Sequence, residues 1–134
     1  METDIRCSAP RKIVIVGGVA GGMSAAARAR RISEDSQIII FERSGYVSYA
    51  NCGLPYFLGG EIESKEDLLV VTPALLKQKL NLDIRVNSEV VEIDAAYKLV
   101  SVQDLKTGEL HSESYDDLIL SVGAAPIRPR VPGI

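Results

Sequence analysis

The apolar positions of this chain fall into unbroken runs and alternating ones, and the two kinds mark different surroundings. "KIVIV", Lys12 to Val16, and "QIIIF", Gln37 to Phe41, are continuous and rich in β-branched residues. Strands buried on both faces of a parallel sheet have this pattern, because neither face meets water. "DLILS", Asp117 to Ser121, is a third such run, and "LDIRV" reads as a further strand. Between the first two runs lies "MSAAARARRIS", an alanine-rich helical pattern ending near Ser33. Its Ala25, Ala26 and Ala29 present small side chains for close packing on a sheet. Strand, glycine turn, helix and strand together take about thirty residues, the size of a βαβ unit.

Thr72-Pro73 marks a second helix, with the threonine as N-cap and the proline at the first helical position, running to about Leu80. A shorter helix starts near Asn51. "EVVEID", "KLVSVQDL" and "ELHSESY" alternate like three antiparallel strands, with Lys106-Thr107-Gly108 as one turn. The pattern predicts an α/β fold: a parallel sheet with an inserted three-stranded antiparallel β-meander. The proline-rich exit "APIRPRVPGI" has the chemistry of a linker, as in a chain cut from something longer.

Composition narrows the partners more than the fold. The 134 residues suffice for one hydrophobic core. A formal charge of −3 without a long basic run argues against nucleic acid. No apolar run approaches the roughly 20 residues of a membrane span, and "METDIRCSAPRK" lacks the apolar core of a secretory signal. Two cysteines, Cys7 and Cys52, are too few for a disulfide scaffold, so a reducing, cytoplasmic setting is expected. No Cys/His cluster points to a metal, and the lone His111, in a polar strand, receives no role.

The chemistry begins at "GGVAGG", Gly17 to Gly22, where the first strand runs directly into the first helix. A helix N-terminus offers unpaired N–H groups and partial positive charge, and glycine lets a pyrophosphate approach the backbone. The G-x-G-x-x-G register falls on Gly17, Val19 and Gly22, so valine replaces the central glycine, with Ala20 beside it. Gly18 and Gly21 are placed to supply the backbone freedom that Val19 lacks. Glu42 ends the second strand, about twenty residues beyond the turn, where a carboxylate accepts ribose hydroxyls and disfavours a 2′-phosphate. These features predict a dinucleotide site.

"SYANCGLPYFLGG" then carries a cysteine in a turn-like context where a helix begins. A helix N-terminus stabilises a thiolate. Gly53 clears bulk beside the sulfur, and Pro55 stiffens the first turn. No second cysteine stands nearby, and Cys7 lies in the polar tail. Cys52 is therefore expected to cycle between thiolate and a mixed disulfide with a small thiol, or a sulfenic acid.

Four segments together resemble the flavin domain of the pyridine nucleotide–disulfide oxidoreductases, in the branch with one active-site cysteine. That branch includes coenzyme A-disulfide reductases, NADH oxidases and peroxidases, and NADH-dependent persulfide reductases. "KIVIVGGVAGGMSAAARARR" is similar to the family's FAD pyrophosphate turn, and "IIIFER" to its ribose-binding strand end. "SYANCGLPY" resembles the redox motif S-F-x-x-C-G-x-P-Y, with Tyr49 at the phenylalanine. "YDDLILSVGAAPIRPRVPGI" is similar to the A-T-G-x-x-P-x-x-P-x-I-P-G exit, with Ser121-Val122-Gly123 at A-T-G.

The resemblance implies a Rossmann-like FAD-binding domain over residues 12–124. Residues 1–11 form a tail, and 125–134 form a linker towards an NAD-binding domain. It places Gly17 to Gly22 on the FAD pyrophosphate, Glu42 on the ribose, and Arg43 and the Val90 backbone beside the adenine. Ser121 and Gly123 flank the cofactor, with Cys52 facing the isoalloxazine. Ser24, Arg28 and Arg31 match positions that meet coenzyme A phosphates, and Ser48 and Asn51 would hold the substrate end near Cys52. Arg28 and Arg31 also share a helix face, so they could meet one anionic group. Lys77 or Lys79 could add charge. The implied parent is a homodimer that takes electrons from NAD(P)H through FAD to a coenzyme A disulfide or persulfide. The alternatives are an NADH oxidase or peroxidase cycling through sulfenic acid, and a non-catalytic nucleotide-binding protein.

Overall fold

A computed structural model describes residues 10–132, so Cys7, most of the N-terminal tail and the last two residues lie outside it. Four strands form one parallel sheet: β1 (Lys12–Val16), β2 (Gln37–Glu42), β3 (Asp83–Val86) and β7 (Asp117–Leu120), in the order β3-β2-β1-β7. Val14 pairs with Ile39 on one side and Leu118 on the other. The three remaining strands, β4 (Ser88–Asp94), β5 (Leu99–Asp104) and β6 (Leu110–Ser114), form the antiparallel meander.

The unbroken apolar runs of β1 and β2 have a simple cause: both faces of the sheet are covered there. The run in β7 was read the same way and is corrected: as an edge strand it is only partly buried, with Leu120 exposed. Ile15, Ile38 and Ile40 turn towards helix α1 (Ala20–Ile32) and helix α3 (Pro73–Leu80), packing with Met23, Ala26 and Leu76. Val14, Ile39 and Phe41 turn the other way, onto Val100 and Val102 of the meander. Each such side chain contributes about 1.5–3 kcal/mol relative to exposure. The charged seam between the layers joins Lys12 and Arg85 to Glu113, the Arg85 contact spanning 2.7 Å. Arg85 also lies 5.3 Å from the centre of the Phe41 ring.

Helix α1 begins three residues before the stretch recognised as helical, so Ala20, Gly21 and Gly22 form its first turn. Ala26 is fully buried and Ala25 and Ala29 partly so, as their size suggested. Arg30 is the unexpected member of that face, only 8% exposed. Its Nε donates to the Leu80 carbonyl and its Nη2 to the Asn81 carbonyl, each at 2.9 Å. Nη1 donates to the carbonyls of Ser33 and Glu34. One guanidinium thus meets the unpaired carbonyls and negative dipole ends of two helices.

Helix α3 starts as expected, Thr72 Oγ1 accepting the Leu75 N–H at 3.3 Å, and ends at Asn81 in the left-handed region with φ of 47°. A short helix α2 (Leu54–Leu58) follows a 3-10 turn at Asn51–Gly53. A second 3-10 turn, Lys65–Leu68, was not foreseen. Among the described residues no helix is long and apolar enough to cross a membrane.

Candidate functional site

Strand β1 sits between β2, which follows it through α1, and β7, which arrives last on its other side, so its carboxyl end opens at a switch point, where α/β sheets bind ligands. Gly17 stands there with φ of +101°, its N–H donating to the Phe41 carbonyl at 2.8 Å. A Cβ on Gly17 would lie 2.1 Å from the Ser121 carbonyl oxygen, and one on Gly22 would lie 1.8 Å from the Gly17 oxygen. Ser121 is itself tied to β1, its N–H donating to the Val16 carbonyl at 2.8 Å. At Gly17 and Gly22 the backbone runs so close to Ser121 and to itself that only glycine fits.

Val19 causes no strain, because its φ is −97° and a side chain is tolerated there. The expectation that Gly18 and Gly21 compensate for it with backbone freedom is corrected: neither has a positive φ. Contact explains them instead. A Cβ on Gly18 would lie 2.8 Å from Val47 Cγ1, and one on Gly21 would lie 2.5 Å from Ser121 Oγ. Helix α1 has no side-chain cap at Val19 and no acidic residue in its first turn, where an anion would be favoured.

Glu42 is 7% exposed. Its Oε2 accepts the Gly18 N–H and its Oε1 the Ser44 N–H, both at 2.8 Å. Each oxygen keeps acceptor capacity for a ribose hydroxyl. Beside it, Arg43 extends into solvent with Nη1 3.8 Å from Glu89 of β4, the strand that also carries Val90. Gly123 has φ of +69° with open space where a side chain would point.

The cysteine segment is attached to the same turn. The Ser48 N–H donates to the Gly18 carbonyl at 2.9 Å, and Ser48 takes φ of 52°, unusual for a residue with a side chain. Asn51 and Cys52 are exposed in the 3-10 turn that leads into α2, and Pro55 lies in that helix's first turn. Gly53 is buried for a different reason from the one its neighbour suggested. A Cβ there would lie 2.6 Å from Leu68 Cδ2, so it makes room for Leu68 rather than for the sulfur.

Ser24, Arg28 and Arg31 are all exposed on α1, away from the sheet. Among the described residues neither arginine has an ion-pair partner. Lys77 and Lys79 are exposed on α3, and Lys77 borders a 330 Å³ cleft at the amino ends of β2 and β3. That cleft is at the opposite end of the strands from the glycine turn. His111 is exposed, its ring 6.3 Å from that of Phe41. Sequence reasoning missed Val47, Leu68 and Arg30. Arg30 was detectable, since it stands one helical turn beyond the buried Ala26.

Residues 11–134 match the pyridine nucleotide-disulphide oxidoreductase family. The chain is 44% identical over 114 residues to the coenzyme A disulfide reductase of Staphylococcus haemolyticus, covering 85% of this chain and 26% of that protein. The chain thus spans about a quarter of the length of that relative. Its fold superimposes on reduced Bacillus anthracis CoADR-RHD with a TM-score of 0.91 and 53% identity, over 94% of this chain and 23% of that one. An NAD-dependent persulfide reductase from A. fulgidus matches with a TM-score of 0.85 and 34% identity, over 90% of this chain and 22% of the other.

Proposed function

The chain belongs to the pyridine nucleotide-disulphide oxidoreductase family, and we propose that it is the FAD-binding portion of an NAD(P)H-linked reductase of coenzyme A disulfide or persulfide. The observation that carries this reading is the bond from Ser48 to Gly18, which ties the cysteine segment to a turn cleared of side chains.

The residues fit the cofactor. Gly17, Gly18, Gly21 and Gly22 keep the turn tight where Cβ atoms would strike Ser121, Val47 or the turn itself, and with Val19 and Ala20 they form a helix start with no side-chain cap. They would hold the pyrophosphate, Glu42 the ribose, Arg43 and Val90 the adenine side, and Ser121 and Gly123 the flank. FAD, when bound, supplies the electron pair, drawn from NAD(P)H, that returns a cysteine–substrate disulfide to thiolates.

Cys52 does the covalent work of this chain. Its thiolate attacks one sulfur of the coenzyme A disulfide, forming a Cys52–coenzyme A disulfide as the original S–S bond breaks and one coenzyme A leaves as thiolate. Arg28 and Arg31, with Ser24, hold the phosphates, and charge-assisted contacts there fix the substrate. Ser48 and Asn51 steady its sulfur end. In this reading residues 125–134 lead to a nicotinamide-binding domain, the parent is a homodimer, and it works in the reducing cytoplasm.

The test is to record the visible spectrum of the purified protein before and after FAD is added and the excess removed, and its intact mass after exposure to coenzyme A disulfide. A retained flavin spectrum and an adduct on Cys52, weakened in the Arg28→Ala/Arg31→Ala variant, are expected. Oxygen uptake at Cys52 under peroxide, with no coenzyme A adduct, would sink the substrate assignment.

A further inference from the structure

The segment from Ser64 to Val70 is joined to the cysteine segment by backbone bonds and by one side-chain contact. The Ala50 N–H donates to the Leu68 carbonyl at 2.8 Å, Tyr49 bridges to Leu69, and the Val70 N–H donates to the Ser48 carbonyl at 3.4 Å. Leu68 is 1% exposed, and its Cδ2 fills the space that a side chain on Gly53 would need. It therefore meets residues on both sides of Cys52: Ala50 through its carbonyl and Gly53 through its side chain. The 3-10 turn that presents it is capped, Ser64 Oγ accepting the Glu66 N–H at 3.3 Å.

We infer that Leu68 is a positioning residue for Cys52, fixing the Asn51–Gly53 turn by contact with Gly53. The inference rests on the reading of Cys52 as the reacting thiol. The contact is tight: a methyl group on Gly53 would lie 2.6 Å from the Leu68 δ-carbon, so either the leucine or the cysteine turn must move. Adding the first should displace the cysteine turn, deleting the second should loosen it, and doing both should restore it.

The test uses the full chain and measures the rate at which iodoacetamide alkylates Cys52 between pH 6 and 9, resolved by peptide mass so that Cys7 does not contribute. Gly53→Ala and Leu68→Ala are each expected to change the rate profile by roughly threefold or more, since the reactivity of a thiol follows its access and local surroundings. The double variant is expected to return to within about twofold of the unmodified protein, the coupling expected of residues in contact. Circular dichroism checks folding, and Leu68→Val replaces Leu68→Ala if the latter unfolds. Folded single variants with unchanged profiles, or a double variant no nearer the parent than either single, would overturn the inference. A Cys52 that reacts no faster than free glutathione, with compensation intact, would refute the redox role of Cys52 and leave the Leu68 contact standing.

Discussion

Glu42 receives the Gly18 N–H on one carboxylate oxygen and the Ser44 N–H on the other, so a buried anion at the end of β2 braces the glycine turn. Replacing it by glutamine turns one acceptor into an NH2 donor facing an N–H. The Glu42→Gln variant is expected to lose about 1–3 kcal/mol, the cost of an unsatisfied buried donor. Urea denaturation measures this, and FAD retention should fall in parallel because the turn itself shifts.

Gly22 cannot accept a side chain. Its Cβ would meet the Gly17 carbonyl at 1.8 Å, and a backbone atom cannot rotate away. Gly22→Ala is expected to lower the melting temperature and abolish flavin retention. Gly108→Ala serves as the control: that residue has φ of +80° with open space around it, so only the left-handed backbone cost of about 1–2 kcal/mol applies. Equal flavin loss in both variants would contradict the cradle.

Arg30 joins the ends of α1 and α3 through four carbonyls. Arg30→Met keeps the buried stem but strands those acceptors, and a loss of about 2–3 kcal/mol is expected by chemical denaturation, since bonds to charged groups are the stronger ones. Arg30→Lys should not rescue it, because an ammonium cannot span four acceptors as a planar fork does. Arg28→Ala and Arg31→Ala, both exposed, should leave stability nearly unchanged.

Glu113 is held below the ordinary glutamate range: burial disfavours its charge, and the hydrogen bonds from Lys12 and Arg85 outweigh that burial. A depressed folded value means its stabilising share is fully present above the unfolded value of about 4.3 and is lost as pH falls through the folded value. Urea midpoints measured from pH 3 to 7 should therefore fall in that acid window. Glu113→Gln should lower the midpoint at pH 7 and flatten the slope below it.

The sheet was legible because burial on both faces leaves no polar residue to interrupt β1 or β2, and their ends were read to within a residue. The glycine turn was legible as a location, but the reason for each glycine was not. Gly18, Gly21 and Gly53 answer to atoms of Val47, Ser121 and Leu68, which are distant along the chain. Arg30 was passed over for a related reason: "ARARR" sets three like charges within four residues, and only helical phase, one turn on from Ala26, separates the buried one from its exposed neighbours. Ser48 in the left-handed region carries no local signature at all, since its conformation is imposed by the bonds to Gly18 and Val70.

The contact between Gly17 and Ser121 also governs when the site can come into being. Its two halves lie roughly a hundred residues apart, and pairings of such long range close late in folding. During synthesis the glycine turn leaves the ribosome early, but β7 follows only after the meander has been made. Until β7 docks beside β1, the cradle lacks one wall, so the nascent chain should carry no flavin before nearly all of this domain has been translated.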